Sequence, residues 1–149
     1  MRFFVLSTVV ALMMPIAVNA QNLTPEEEEV WQTVKSCWAA LQEKDEAAML
    51  ACFHEDYSFW WAEDIMPFGK DLVRAVVPVN LPAEDVVIDD LRLAGIVVKG
   101  DVALVHWGVR RFTRTPTGTD IPFIERASMT LIRENGRWQY LGGGGSPMK

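Results

Sequence analysis

Residues able to move protons fall in the second half of the chain, inside runs otherwise made of β-branched and aromatic side chains: Asp89, His106, Arg110 and Glu125. A carboxylate enclosed by apolar groups has its pKa raised and becomes a competent general base. A nearby donor then stabilises the oxyanion formed when a proton leaves carbon. Glu125 fits the first role, and His106, Tyr57 or a neutral acid fits the second, so Glu125 and His106 form the candidate catalytic set. Asp56 suits a turn or cap better, because it precedes a short strand. Arg110 and Asp89, with the aromatics Tyr57, Trp60 and Trp138, are the candidate binding groups for a small, flat, apolar or aromatic ligand. A plainer arrangement accounts for the same residues: a cross-strand ion cluster of Asp89, Arg110 and Glu125, each exposed pair contributing about 0–1 kcal/mol, with the aromatics as core.

Other chemistries lack their residues. The two cysteines, Cys37 and Cys52, form no CxxC or CxxH, and two histidines make no cluster, so neither a metal nor another cofactor is expected. There is no phosphate-binding glycine loop and no nucleophile elbow. A net charge of −6 argues against nucleic acid as a partner, since phosphate contacts need a basic face.

The groups above must be positioned by strands. Segments 86–88, 91–98, 102–112, 121–132 and 138–140 read as strands, punctuated by Lys99-Gly100, Pro116-Thr117-Gly118 and Asn135-Gly136. The order predicts an antiparallel sheet. With Lys99-Gly100 as a two-residue turn, Val98 pairs with Asp101, Leu93 with His106 and Asp89 with Arg110. With Thr117-Gly118 as the next turn, Arg110 lies opposite Glu125. Side chains alternate faces, so Asp89, His106, Arg110 and Glu125 share one face with Leu91, Leu93, Val97 and Leu104. The other face, with Val105, Trp107, Val109 and Ile124, is apolar too and predicts a homodimer formed through it.

Helices precede the sheet. Thr24-Pro25-Glu26-Glu27 is a capping box with Pro at the first helical position, and Val30, Val34, Cys37, Trp38 and Leu41 recur at helical spacing behind it. Asp45 caps a second helix that runs to Phe53 and closes at His54-Glu55-Asp56. Residues 57–61 form a short aromatic strand, and residues 69–76 a third helix stopped by Pro78. The chain opens on Met1-Arg2, an apolar run over 3–18 and the small residues Val18-Asn19-Ala20. This is a secretory signal peptide, cleaved after Ala20, which leaves residues 21–149 as one domain, periplasmic or secreted. Its apolar run is short for a membrane span, and no stable membrane insertion is expected after cleavage. Cys37 and Cys52 lie seven residues on either side of the Lys44-Asp45 turn, so a disulfide joins them at equal height in an oxidising compartment.

The series Ala40 to Asp45, Phe53 to Tyr57, Gly69 to Arg74, Lys99 to Ala103, Arg126-Ala127-Ser128, Asn135 to Trp138 and Ser146-Pro147 resembles the nuclear-transport-factor-two-like superfamily, which includes SnoaL-like domains and ketosteroid isomerase. The resemblance implies an α+β fold: a cone-shaped, strongly curved antiparallel sheet with about three N-terminal helices enclosing a pocket. It also places Arg126 and Ser128 inward, against the turn-based register. One departure is visible: members often carry a His two residues before the terminal Ser-Pro, where this chain has Gly144. Two functions are consistent with these features. One is an exported small-molecule-binding domain without a reaction. The other is an isomerase, cyclase or dehydratase of the ketosteroid-isomerase type, using a pocket carboxylate as base.

Overall fold

A computed structural model describes residues 22–114, 117 and 120–148. The expected signal peptide, residues 1–20, and Pro116 and Gly118 of the expected turn lie outside the described residues. Three helices and six strands follow in the order α1 (Pro25–Glu43), α2 (Glu46–Ala51), β1 (Phe53–Trp61), β2 (Phe68–Gly69), α3 (Lys70–Ala83), β3 (Asp85–Lys99), β4 (Val102–Arg114), β5 (Asp120–Glu134) and β6 (Arg137–Pro147).

α1 begins at the expected capping box: Thr24 accepts from the Glu27 N–H, and Glu27 accepts from the Thr24 N–H. Its buried stripe is Val30, Val34, Cys37 and Ala40, and it ends at Lys44 in the left-handed conformation. Asp45 caps α2 through the Ala48 N–H at 2.9 Å. α2 stops at Ala51, two residues short of the expected end, and Phe53–Asp56 belong to β1. Phe53, Tyr57 and Phe59 fall on one side of that strand and are buried, which outweighs the weak helical preference of the segment. α3 continues past Pro78, its expected stop, to Ala83. Val73, Val77 and Leu81 bury a stripe at four-residue spacing, while Pro78 and Pro82 stay on the exposed side. α3 is tied to β1 by Lys70, a buried cation whose Nζ donates to Phe53 O at 2.8 Å and to Glu55 Oε1 at 2.7 Å.

The strands form one curved, unclosed sheet in the order β2-β1-β6-β5-β4-β3, with the helices on its inner face. The expected wholly antiparallel sheet needs one correction: β1 runs parallel to β6. β6 also extends well past Trp138–Tyr140, because the glycines at 142–145 are strand residues. An added Cβ at Gly145 would lie 2.7 Å from Trp61 and 3.0 Å from Phe59, and one at Gly143 only 2.2 Å from the Ser128 carbonyl. The run is glycine because its neighbours leave no room for side chains.

Register differs from expectation in two places. The first turn is Gly100-Asp101, so Lys99 pairs with Val102, and bulges at Asp89 and Ala94 twice shift the phase of β3. The apolar side of β3 is therefore Val86, Ile88, Leu91, Leu93, Ile96 and Val98. Between the paired residues Arg114 and Asp120 stand five residues, an odd number, so odd positions of β4 pair with odd positions of β5. The inner face of β4 is Ala103, Val105, Trp107, Val109 and Arg111, with Glu125, Ala127, Met129 and Leu131 opposite on β5. His106 and Arg110 point outward, so the expected common face for His106, Arg110 and Glu125 is wrong. Arg126 lies outside with them, against the family-based expectation. The argument for association through Val105, Trp107 and Val109 fails for the same reason, since these residues are core. Full burial of Val30, Val34, Val105 and Leu131 contributes about 1.5–3 kcal/mol each.

Cys37 and Cys52 are bonded, with their Cα atoms 5.9 Å apart, as their distances from the turn suggest. Reduction is expected to lower unfolding free energy by about 3 kcal/mol, the chain-entropy value for a loop of this length, as read by urea titration with and without reductant. Gly143→Ala is expected to cost more than ~2 kcal/mol, because its methyl meets backbone that cannot move aside; an unchanged urea midpoint would show that β6 can shift.

Candidate functional site

The inner face encloses a cavity of about 260 Å³. One row of paired residues explains where it comes from: Trp61 pairs with Gly145, Gly145 with Ala127, and Ala127 with Trp107. Ala127 leaves a hollow beside Trp107, while the rings of Trp61 and Phe59 lie over Gly145. Phe53, Tyr57, Phe59 and Tyr140 extend the aromatic wall, and Trp38, Leu41 and Met49 of α1 and α2 close it from above. The rings brace one another: Tyr57 stacks on Phe59 at 6.3 Å between centroids, and Trp107 lies 5.9 Å from Tyr140.

Into this apolar space project Glu125 and Arg111. The Glu125 side chain is only 12% exposed, and Arg111 is 21% exposed. Arg111 Nε stands 3.9 Å from Glu125 Oε2, close enough for ion pairing but too far for a hydrogen bond. That nitrogen is buried and has no hydrogen-bond partner. Its guanidinium carbon sits 4.6 Å above the Phe123 ring, which in turn stacks on Trp61 at 6.1 Å. Burial raises the Glu125 pKa above the ordinary carboxylate value, and attraction to Arg111 offsets this only in part. Burial also pushes the phenols of Tyr57 and Tyr140 upward, so both keep their protons at neutral pH and remain donors. Trp107 Nε1, like Arg111 Nε, is a buried donor without a hydrogen-bond partner among the described residues. Glu84, the residue that follows α3, completes the charged lining. A carboxylate whose pKa is raised by burial, with unengaged donors beside it, can accept a proton or receive a polar ligand group.

The residues singled out from the sequence separate. Glu125 and Tyr57 line this cavity. His106 and Trp60 line a groove on the opposite, outer face. Arg110 and Asp89 form an ion pair at half-exposed positions, and Glu125 faces Arg111 rather than joining that pair. Trp138 is buried beneath the Arg133 guanidinium, 5.0 Å away, and lines neither site. Arg111, Trp107 and Tyr140 were missed as site residues. The signal for them was present, since Ala103, Val105, Trp107 and Val109 are a cleaner apolar alternation than the even positions of β4. Gly144, where the family resemblance implied a His, lines the outer groove, so its lack of a side chain removes nothing from the inner cavity. No group of three or more His, Cys, Asp or Glu able to hold a metal occurs among the described residues.

Comparison with known proteins places these features in a family. The family model described as SnoaL-like domain matches residues 34–141. An NTF2-like protein from Pseudomonas putida KT2440 is 23% identical, with 81% of this chain and 85% of that one covered and a TM-score of 0.66. A ketosteroid isomerase-like protein from Erwinia carotovora atroseptica is 18% identical over 85% of this chain and 99% of that one, with a TM-score of 0.69. A conserved protein from Planctomyces limnophilus is 16% identical over 83% and 96%, with a TM-score of 0.73. At these identities the likeness is one of fold. No curated protein matches the chain.

The raised pKa of Glu125 carries a sign that can be tested. The folded state holds the proton more tightly than the unfolded state, so this contribution to stability is complete below the unfolded pKa, roughly 4.3. It is lost as pH rises through the higher folded value. Glu125→Gln keeps the neutral shape and has no charge to bury. Its stability relative to the parent chain is therefore expected to increase as pH rises from 4 to 7, measured as the difference in urea midpoint; a difference that shrinks over this range would mean that Arg111 dominates.

Proposed function

The chain belongs to the SnoaL-like domain family, and from that premise we propose that it binds a small, flat, largely apolar molecule in the inner cavity, with a polar group of the ligand directed at Glu125 and Arg111. The observation that carries this reading is the aromatic cavity containing one desolvated carboxylate and two buried donors, Arg111 Nε and Trp107 Nε1, that no group among the described residues engages. Apolar walls supply affinity, and a few convergent polar groups supply orientation. The sequence at 1–20 supports export of this domain to the periplasm or outside the cell, and the Cys37–Cys52 bond is compatible with that. Among the described residues, no helix is long and apolar enough to cross a membrane.

A second reading is favoured by the raised pKa of Glu125: proton transfer at carbon, as in an isomerase, cyclase or dehydratase. Glu125 is the base, and Tyr57, Tyr140 or Trp107 donates to the developing oxyanion. The ketosteroid isomerase-like neighbour makes an unsaturated ketone a sensible probe.

Two measurements separate the readings. 2-Naphthol is expected to bind in fluorescence titration, and Ala127→Phe, which fills the hollow beside Trp107, is expected to weaken binding by about tenfold or more. A β,γ-unsaturated ketone is then followed at the absorbance of its conjugated isomer. Catalysis predicts turnover that falls by roughly 10²-fold or more in Glu125→Gln while binding persists. Binding without turnover leaves the first reading alone, and failure of both probes to bind would remove the cavity from consideration.

A further inference from the structure

The outer face carries a second recess, about 560 Å³ and more open than the first. It follows a single row across five strands: Trp60 pairs with Gly144, Gly144 with Ser128, Ser128 with His106, and His106 with Gly95. The glycine at the second place separates the indole from the polar groups, and Ala62, Ala94 and Gly145 keep the flanks low. Trp60 is 54% exposed. Its Nε1 donates to the Asp64 carbonyl at 3.0 Å, which holds the ring in place and leaves a face open.

The polar side of the groove is cationic in a chain of net charge −6. None of the residues lining it is acidic. Arg126 Nε donates to Ser146 Oγ at 3.2 Å, and among the described residues the guanidinium has no carboxylate partner. The other arginines of the sheet strands β3, β4 and β5 all have one: Arg92 with Asp90, Arg110 with Asp89, Arg111 with Glu125, Arg114 with Asp120 and Arg133 with Asp101. His106 Nδ1 and Ser128 Oγ are 2.7 Å apart, a contact that fixes the imidazole over the strand. An unpaired planar guanidinium, two hydroxyls and an oriented imidazole suit a carboxylate, and the indole across Gly144 suits an aromatic ring.

We propose that this outer groove is a binding site for a small aromatic carboxylate, whose carboxylate is held by Arg126 with Ser128 and His106 while its ring lies against Trp60. The site is separate from the inner cavity, which lies on the other face of the same strands and carries its own glutamate.

Benzoate is the probe, benzamide its uncharged isostere, and the full chain the sample. In ¹⁵N–¹H correlation spectra, benzoate is expected to shift the Trp60 indole and the Ser128 and Gly144 amides saturably. Benzamide is expected to bind about tenfold more weakly, in line with the loss of a charge-assisted pair. Arg126→Gln is expected to weaken benzoate by about tenfold, and Trp60→Ala severalfold, while Arg111→Gln leaves it within about twofold. Circular dichroism on each variant confirms a folded chain, and Arg126→Lys, which keeps the charge without the fork, is expected to fall between parent and Arg126→Gln. Shifts centred on Trp61 and Met129 and abolished by Arg111→Gln would place benzoate in the inner cavity and overturn the proposal. So would equal affinity for benzamide, the absence of a saturable shift, or concentration-dependent shifts of the same amides without benzoate, which would mean that a second copy occupies the groove.

Discussion

The pairing of β1 with the glycine-rich end of β6 is the contact on which both faces of the sheet depend. β6 can accept β1 as a parallel neighbour, and have Phe59 and Trp61 laid across it, only because residues 142–145 carry no side chains. Without that strand the sheet would end at β6, and β1, β2 and the Lys70 anchor of α3 would lose their place. The same absence of side chains shapes each face of the sheet: Trp61 and Phe59 lie over Gly145 on the inner side, and Gly144 opens the space between Trp60 and Ser128 on the outer side. A stretch that reads as low-complexity is thus closely constrained by its neighbours.

At the inner site the competing terms are the desolvation of Glu125 and its attraction to Arg111. Had the two groups met in a bidentate pair, attraction would dominate and the carboxyl pKa would be lowered. At 3.9 Å, and with Arg111 partly committed to the Phe123 face, desolvation dominates instead. Arg111 thereby limits how far the Glu125 pKa rises without neutralising the site's capacity to take up a proton.

The family, the class of fold, the caps of α1 and α2, the Asn135-Gly136 hairpin and the cysteine pairing were legible from residue type and spacing. Those features depend on local chemistry: a threonine before Pro-Glu-Glu, or two residues that accept positive φ, as Asn135 and Gly136 both do. The face on which each strand residue lies was not legible, because it depends on parity. One residue more in the 115–119 connection, or one bulge fewer in β3, would invert the side chains that follow. Asp89 and Ala94 bulge, and nothing in their types announces it. Glu125 came out on the inner face while His106 and Arg110 did not, since β5 was set in phase and β4, with the parts of β3 outside its two bulges, was set one step out. The persistence of α3 through two prolines escaped for a related reason: its buried valines and leucine act through tertiary contacts that residue type alone does not reveal.

The disulfide separates two events that would otherwise merge. α2 has six residues, none of them buried, too few to hold a helix by propensity. It supplies Met49 to the cavity wall, and Cys52 at its end is bonded to Cys37 on α1. Unwinding of α2 can therefore occur within a closed covalent ring, while both ends of the segment stay in place and the sheet beneath remains intact. Amide exchange across α2 then reports a shallow local opening with little dependence on denaturant, and exchange in β4 and β5 reports the whole molecule coming apart.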